Sequence, residues 1–173
     1  MLKNSPEQVL DLILDFINLC LDKSIVSKNL CLDLIQPIFK SGNKNDPNNY
    51  RGICLSSSIL KLITSLIYQR LVIKVDELNL ISKNQIGFRT KSRTSDHLLT
   101  IKNIAKKCVT IGQKKLYLCF IDFENAFDSI WHGGLFHKLH DLGLNGKLLD
   151  LIENIYVKTK CAVKHGGKLT HFF

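Results

Sequence analysis

A chain of 173 residues that is 45% hydrophobic and 23% charged can bury a core of its own, which excludes a disordered polymer, and its three prolines and ten glycines argue against long linkers. The formal net charge is +9, unevenly spread. Eight basic residues and one acid, Asp96, lie between Arg89 and Lys115, whereas from Leu116 to Glu153 six acids stand against Lys138 and Lys147. A basic segment followed by an acidic one suits a protein that holds a polyanion and places cations beside it; a solvated basic helix face is the competing reading.

The chain opens with Ser5-Pro6-Glu7-Gln8, which reads as a helix start with Ser5 as cap, Pro6 in the first turn and Gln8 closing a capping box. Val9, Ile13, Phe16, Ile17 and Cys20 follow at helical spacing. In LIQPIFKSGNKNDPNNYRGICL, residues 34–55, two apolar arms flank turn-forming residues, so a β-hairpin with a long tip is predicted. Lys40 ends its first arm and Arg51 starts its second, and cross-strand pairing would bring both cations onto one surface.

SSSILKLITSLIYQRLVIKVDEL predicts a helix with Ile59, Ile63, Leu66, Ile67, Leu71 and Val75 as its apolar stripe and a serine among Ser56 to Ser58 as cap. NQIGFRTKSRTSDHLL is a basic loop leading into another helix, capped by Thr94 or Ser95. Leu98, Ile101, Ala105 and Cys108 would face inward there, and Lys102, Lys106 and Lys107 outward. Leu116 to Ile121 reads as a short buried strand. Two helices separated near Gly143 come next, then two short strands joined at Gly166-Gly167.

The six cysteines, Cys20, Cys31, Cys54, Cys108, Cys119 and Cys161, form no CxxC and sit mostly in apolar runs, as reduced, buried thiols of an intracellular protein would. His137 and His140 form an HxxH with no cysteine pair beside it, which suits surface histidines better than zinc. No secretory leader and no stretch of the roughly 18 apolar residues that would span a bilayer is present, so a cytoplasmic or nuclear, non-membrane chain is expected.

In LYLCFIDFENAFDSIW, residues 116–131, an apolar run ends in Asp122, with Glu124 and Asp128 close behind. A carboxylate at a strand end either reaches solvent, caps a helix or holds a hard cation such as magnesium. This stretch resembles the first catalytic motif of reverse transcriptases of the non-LTR (LINE-type) retrotransposon group, an apolar strand followed by D-F-x-x-A-F-D and an aromatic. DPNNYRGICLSSSILKLI resembles the group's Y-R-[PG]-I-x-L segment, NQIGFRTKSRTSDHLL its Q-x-G-F-R-x-x-x-x-T-x-D segment, and GLFHKLHDLGLNGKLLDLIENIY the helical stretch after the first motif.

The resemblance implies an α+β fold: mostly helical fingers with a β-hairpin over residues 1–115, and the first part of a polymerase palm over residues 116–173. It implies RNA-directed DNA synthesis from deoxynucleoside triphosphates on an RNA template and DNA primer, with magnesium. Asp122 matches the carboxylate that binds both magnesium ions, and Phe123 a position whose backbone carbonyl can ligate metal. Phe127 matches the bulky residue beneath the deoxyribose, and Asn125 and Ala126 lie where backbone amides meet the triphosphate. Lys40 and Arg51 would hold nucleotide phosphates from the hairpin. Arg89, Lys91, Arg93, Lys102 and Lys106 are the candidates for template phosphate. The run Gly87-Phe88-Arg89-Thr90-Lys91-Ser92-Arg93-Thr94 departs from the common G-F-R-P-G-R-S-T form, which weakens the match at Arg93.

The family pattern continues with a glutamine-glycine motif and a hairpin bearing two adjacent aspartates, and this sequence contains no Asp-Asp pair. A truncated chain, inactive by itself, is therefore expected. Its C-terminal part would be loosely held, with Phe120, Phe123 and Phe127 uncovered and an exposed palm edge prone to self-association. A non-catalytic RNA- or DNA-binding module, or an inert retrotransposon remnant, is the alternative.

Overall fold

The computed structural model describes residues 5–89 and 92–173. It mixes helix and sheet, in line with the α+β expectation, and divides into two compact units. One comprises the chain up to Val72 together with Trp131–Phe173; the other is Ile73–Ile130. The boundary read between residues 115 and 116 lies inside the second unit.

In the first unit, helix α1 (Glu7–Lys23) turns Ile17 and Cys20 into the core. Its N-cap position is Pro6, one residue after the Ser5 that the sequence suggested as cap. Ser24 ends the helix in the left-handed region, φ 54°, and its Oγ donates to the Lys147 carbonyl. Strands β1 (Leu32–Phe39) and β2 (Tyr50–Leu55) form the expected antiparallel hairpin. The tip is a short 3₁₀ turn, Pro47–Asn49, in which the Asp46 side chain accepts from the Asn48 N–H. An Asp46–Arg51 pair is not among the ion pairs of the described residues.

Helix α2 (Ser58–Glu77) buries Leu60, Ile63 and Ile67, with Ile59, Leu66 and Leu71 half-covered beside them. The register is that of the sequence stripe, with Leu60 added. The Ser56 hydroxyl, one of the cap candidates, donates instead to Asp33.

Helices α4 (His132–Asp141) and α5 (Lys147–Lys158) come where the sequence places them. Between them Gly143 and Gly146 take φ of 80° and 76°, backbone that a β-carbon disfavours. Helix α5 closes the core with Leu151, wholly buried, and Leu149. Asn154 and Lys158, one turn apart, grip the backbone of buried Val26: the Val26 N–H donates to Asn154 Oδ1 at 3.0 Å, and Lys158 Nζ donates to the Val26 carbonyl at 2.7 Å.

Strands β3 (Lys160–His165) and β4 (Lys168–Leu169) turn at Gly166-Gly167, both with positive φ, the pair of conformations a tight hairpin requires. Strand β3 lies parallel to β1, giving the order β2-β1-β3-β4. Ala162 is fully buried, and Cys161 and Phe173 exchange both backbone hydrogen bonds at 3.0 Å. Within the C-terminal part expected to be loosely held, residues 160–169 are thus paired in the sheet, while Phe120, Phe123 and Phe127 are uncovered as expected. Strand β3 finds its partner in β1, an element more than a hundred residues earlier.

In the second unit, helix α3 (Thr94–Ala105) is capped by Arg93, not by Thr94 or Ser95: the Arg93 N–H donates to the Asp96 carboxylate at 2.8 Å. The helix runs on as a π-helix, Lys106–Ile111. Ile101, Ala105 and Cys108 are half-buried as expected, but Leu98 is exposed. Residues 113–123 form no helix, turn or strand. The predicted strand Leu116–Ile121 is absent because a strand exists only through its neighbour, and no other described segment pairs with it. The cysteines are all free, but only Cys20 and Cys31 are buried; Cys54 and Cys119 are exposed.

Candidate functional site

The acidic motif follows the irregular segment directly. Residues 124–129 are turns, and the Ser129 N–H donates to the Asn125 carbonyl at 3.0 Å, a single helical turn that Asn125 enters with φ 49°. Asp128 therefore sits inside that turn and caps no longer helix. Asp122, Glu124 and Ala126 are exposed, and Phe123 and Phe127 keep 77% and 75% of their surface in water. Phe127 is thus not a core residue. It touches Phe88 edge to face, with ring centroids 6.1 Å apart. Since Phe88 opens the basic loop, the two family-like motifs meet at this contact.

The basic candidates of the same unit are unequal. Lys102 and Lys106 stand exposed on the helix, with no ion pair to a described residue. Arg89 is half-buried and its Nη1 donates to the Ser82 carbonyl at 3.3 Å, so part of its guanidinium is occupied in holding the loop. Arg93 is exposed, its backbone serving as the helix cap. Lys91 lies outside the described residues.

In the first unit, Ile38 pairs with Arg51, and the Lys40 N–H donates to the Asn49 carbonyl at 2.8 Å, continuing the ladder. Lys40 is two residues beyond Ile38, so alternation puts it on the face that carries Arg51. Both are exposed. The register delivers the shared cationic surface that the sequence suggested.

Over residues 41–172 the sequence matches the family described as reverse transcriptase (RNA-dependent DNA polymerase). The chain belongs to the reverse transcriptase family. It is 33% identical over 133 residues to the RNA-directed DNA polymerase from mobile element jockey of Drosophila funebris, an alignment covering 75% of this chain and 14% of that protein. The corresponding Drosophila melanogaster jockey protein is 32% identical over 136 residues, covering 77% of this chain and 14% of the relative. The probable RNA-directed DNA polymerase from transposon BS of Drosophila melanogaster is 34% identical over 108 residues, covering 61% and 12%. The likeness to non-LTR retrotransposon reverse transcriptases read from the motifs is borne out. The chain spans only about one seventh of the length of these relatives.

The described residues do not compose a complete cation site. No three His, Cys, Asp or Glu side chains among them converge on a cation position. Asp122, Glu124 and Asp128 are all exposed, the last two within the turns at residues 124–129.

The reverse transcriptase chain also holds a polar cluster that sequence reasoning missed. Asp33, on β1, is 7% exposed. Its Oδ2 accepts from Ser56 Oγ at 2.9 Å and Cys54 Sγ at 3.3 Å, while Oδ1 has no partner among the described residues. Cys161 lies opposite it on β3. Cys54 is exposed as a residue, but its sulfur sits at this part-buried contact. Partial burial, then the hydrogen bond to Asp33 and that carboxylate's charge, then the Cys161 thiol, push the Cys54 thiol up to about 11. Burial likewise raises Cys20 and Cys31, with the Lys158 ammonium opposing it in both. These cysteines are poor nucleophiles and serve packing. The signal for the cluster was available: Asp33 is the one acid in the apolar alternation Leu32-Asp33-Leu34-Ile35.

Among the described residues no helix is long and apolar enough to cross a membrane.

Proposed function

We propose that the chain is a nucleotide- and template-holding portion of an RNA-directed DNA polymerase of a non-LTR retrotransposon. The observation that carries this reading is the acid-aromatic stretch Asp122–Phe127, which projects its carboxylate and both phenylalanine rings into solvent instead of using them to build a core. Large apolar side chains left in water next to a carboxylate are costly unless another surface uses them.

In this reading Asp122 and the Phe123 carbonyl are ligands to magnesium, with the other carboxylates supplied from outside the 173 residues. Phe127 lies under the sugar of the incoming deoxynucleoside triphosphate, and the backbone amides at Asn125 and Ala126 approach its phosphates. Lys40 and Arg51 are cations for the same phosphates, and Arg89, Lys91, Arg93, Lys102 and Lys106 hold the RNA template and DNA primer through phosphate contacts. The finer architecture is fingers together with the start of a palm.

A chimera tests this: the matching segment of a jockey-type polymerase is replaced by this sequence, and primer extension on an RNA template is measured. Extension is expected in the chimera and is expected to vanish with Asp122→Ala. The 173-residue chain alone is expected to extend no primer with magnesium or manganese, because one carboxylate does not hold two metal ions. Extension by the chimera that survives Asp122→Ala would end the proposal. A second reading, a binding module without catalysis, is favoured by the unpaired Lys102 and Lys106 on the exposed side of α3 and its extension. A chimera that binds primed template but extends no primer supports that reading.

A further inference from the structure

We propose that the sheet face turned away from Lys40 and Arg51 binds a nucleoside monophosphate, with its ring against Tyr50, Pro37 and Pro47 and its phosphate between Lys44 and His165. The site lies wholly in the first unit and uses none of the residues given a role in polymerisation, so it does not depend on that reading.

The strand register makes a hollow there. Ile38 and Arg51 share one face of β1 and β2, so Ile35, Pro37, Tyr50 and Gly52 alternate onto the other, joined by Val163 of β3 opposite Ile35. The Lys40 N–H bonds toward β2, so the peptide groups of Ile35 and Pro37 point toward β3. Proline has no N–H to give, and the pairing of β1 with β3 ends at Ile35 and Val163. Beside that last rung lies a cavity of about 420 Å³, within the range of small-ligand sites. Gly52 keeps its floor bare: a β-carbon there would meet Ile35 Cγ2 at 3.0 Å.

The walls and rim select the ligand. Pro37, Pro47 and Tyr50 offer flat apolar surfaces. The Tyr50 hydroxyl donates to the Lys44 carbonyl at 2.9 Å, and its ring is braced by Phe39 with centroids 5.4 Å apart. Lys44 and His165 line the same cavity, both exposed and neither in an ion pair with a described residue. No acid is among the described residues that line it. Lys168 stands opposite His165 across the β3–β4 ladder and adds a cation beside the rim. Apolar walls suit a planar ring, and two basic side chains without an acid suit a phosphate. A nucleotide carries both groups on one sugar.

The full chain, isotope-labelled and without magnesium, is titrated with adenosine 5′-monophosphate and followed by NMR. Saturable shifts are expected at the amides of Gly52, Val163 and His165, with adenosine and inorganic phosphate each binding at least about tenfold more weakly. Lys44→Gln, on the exposed tip, should weaken binding by about tenfold. Gly52→Val fills the hollow and should abolish binding, with amide dispersion as the check on folding; if that variant does not fold, Lys44→Gln decides. A 5′-phosphorylated dinucleotide separates the sources: binding equal to the mononucleotide's means that the end of a strand enters, and weaker binding means that the free nucleotide is the ligand. No saturable shift up to about 10 mM overturns the proposal. So does inorganic phosphate binding as tightly as the nucleotide, or indifference to Lys44→Gln. Shifts confined to Asp122–Phe127 would overturn it as well, while leaving the polymerase reading in place.

Discussion

Phe88 and Phe127 meet edge to face, their planes at 90°, although 39 positions separate them and both rings are mostly in water. Phe88 reaches this contact from a left-handed backbone, φ 60°, which costs a residue with a β-carbon about 1–2 kcal/mol. Local conformation and ring contact therefore pull in opposite directions at this residue. Phe88→Gly relieves the backbone, and Phe88→Ala does not. We expect Phe88→Gly to be about 0.5–1 kcal/mol more stable than Phe88→Ala in urea unfolding, after the entropy glycine gains in the unfolded chain is taken off. The reverse order would mean that the loop does not hold this conformation in solution.

Leu151 has no exposed surface and lies in the cluster formed with α1 and α2. Leu151→Ala should cost about 2–5 kcal/mol by the lost transfer energy and the cavity left behind. Val157, on the same helix, is 82% exposed, and Val157→Ala should stay within about 0.5 kcal/mol. Chemical denaturation of the pair measures the contrast; equal effects would remove α5 from the core.

Hydrogen exchange separates the pairing in the two late segments. The amides of Cys161 and Val163 are bonded, to the Phe173 carbonyl and to Thr170 Oγ1, and should exchange slowly, as should those of Ile63 to Ile67. Tyr117 to Ile121, whose backbones bond to no other described residue, should exchange within the dead time. Fast exchange at Cys161 and Val163 would restore the view that this end is loosely held.

The Cys54 thiol has a folded pKa raised from 9.0 to about 11, so the neutral thiol is the form the fold prefers. Its contribution to stability is complete below pH 9 and is lost as pH rises from 9 to 11. Asp33→Asn removes the hydrogen bond to a carboxylate and its charge, leaving partial burial and Cys161. The thiol then titrates closer to its usual range, and alkylation of Cys54 at pH 9 becomes faster. An alkylation rate unchanged by Asp33→Asn would show that the carboxylate does not act on this sulfur.

Nucleic-acid binding should be weak, indifferent to base sequence and steeply salt-dependent. If Arg89, Lys91, Arg93, Lys102 and Lys106 all meet phosphates of a single strand, the slope of log affinity against log salt is about −3.5, and glutamine at all five should flatten it toward zero. Fluorescence anisotropy with a labelled RNA gives the slope. Arg89 should matter least among the described four, its guanidinium being bonded to the Ser82 carbonyl. An unaltered slope in the five-fold variant would make this segment only a solvated face.

The sequence by itself determined the helices, the two hairpins and the family. Ile63 and Ile67 recur at the helical period, and turn residues bracket both hairpins. Their geometry depends on neighbours a few positions away, which the sequence displays. The reverse transcriptase motifs are likewise local strings whose residue types carry the chemistry. Tertiary structure decided what depends on a distant partner. Leu116 to Ile121 has the composition of a strand, but no other described segment supplies the opposite half of its hydrogen bonds. Cys161 to His165 has a weaker pattern and becomes a strand because β1 lies open beside it. Asp33 becomes a buried acid only where Cys54, Ser56 and β3 meet it, with one oxygen left without a partner among the described residues. Backbone pairing and burial are made by two segments together, so neither segment's sequence states them alone.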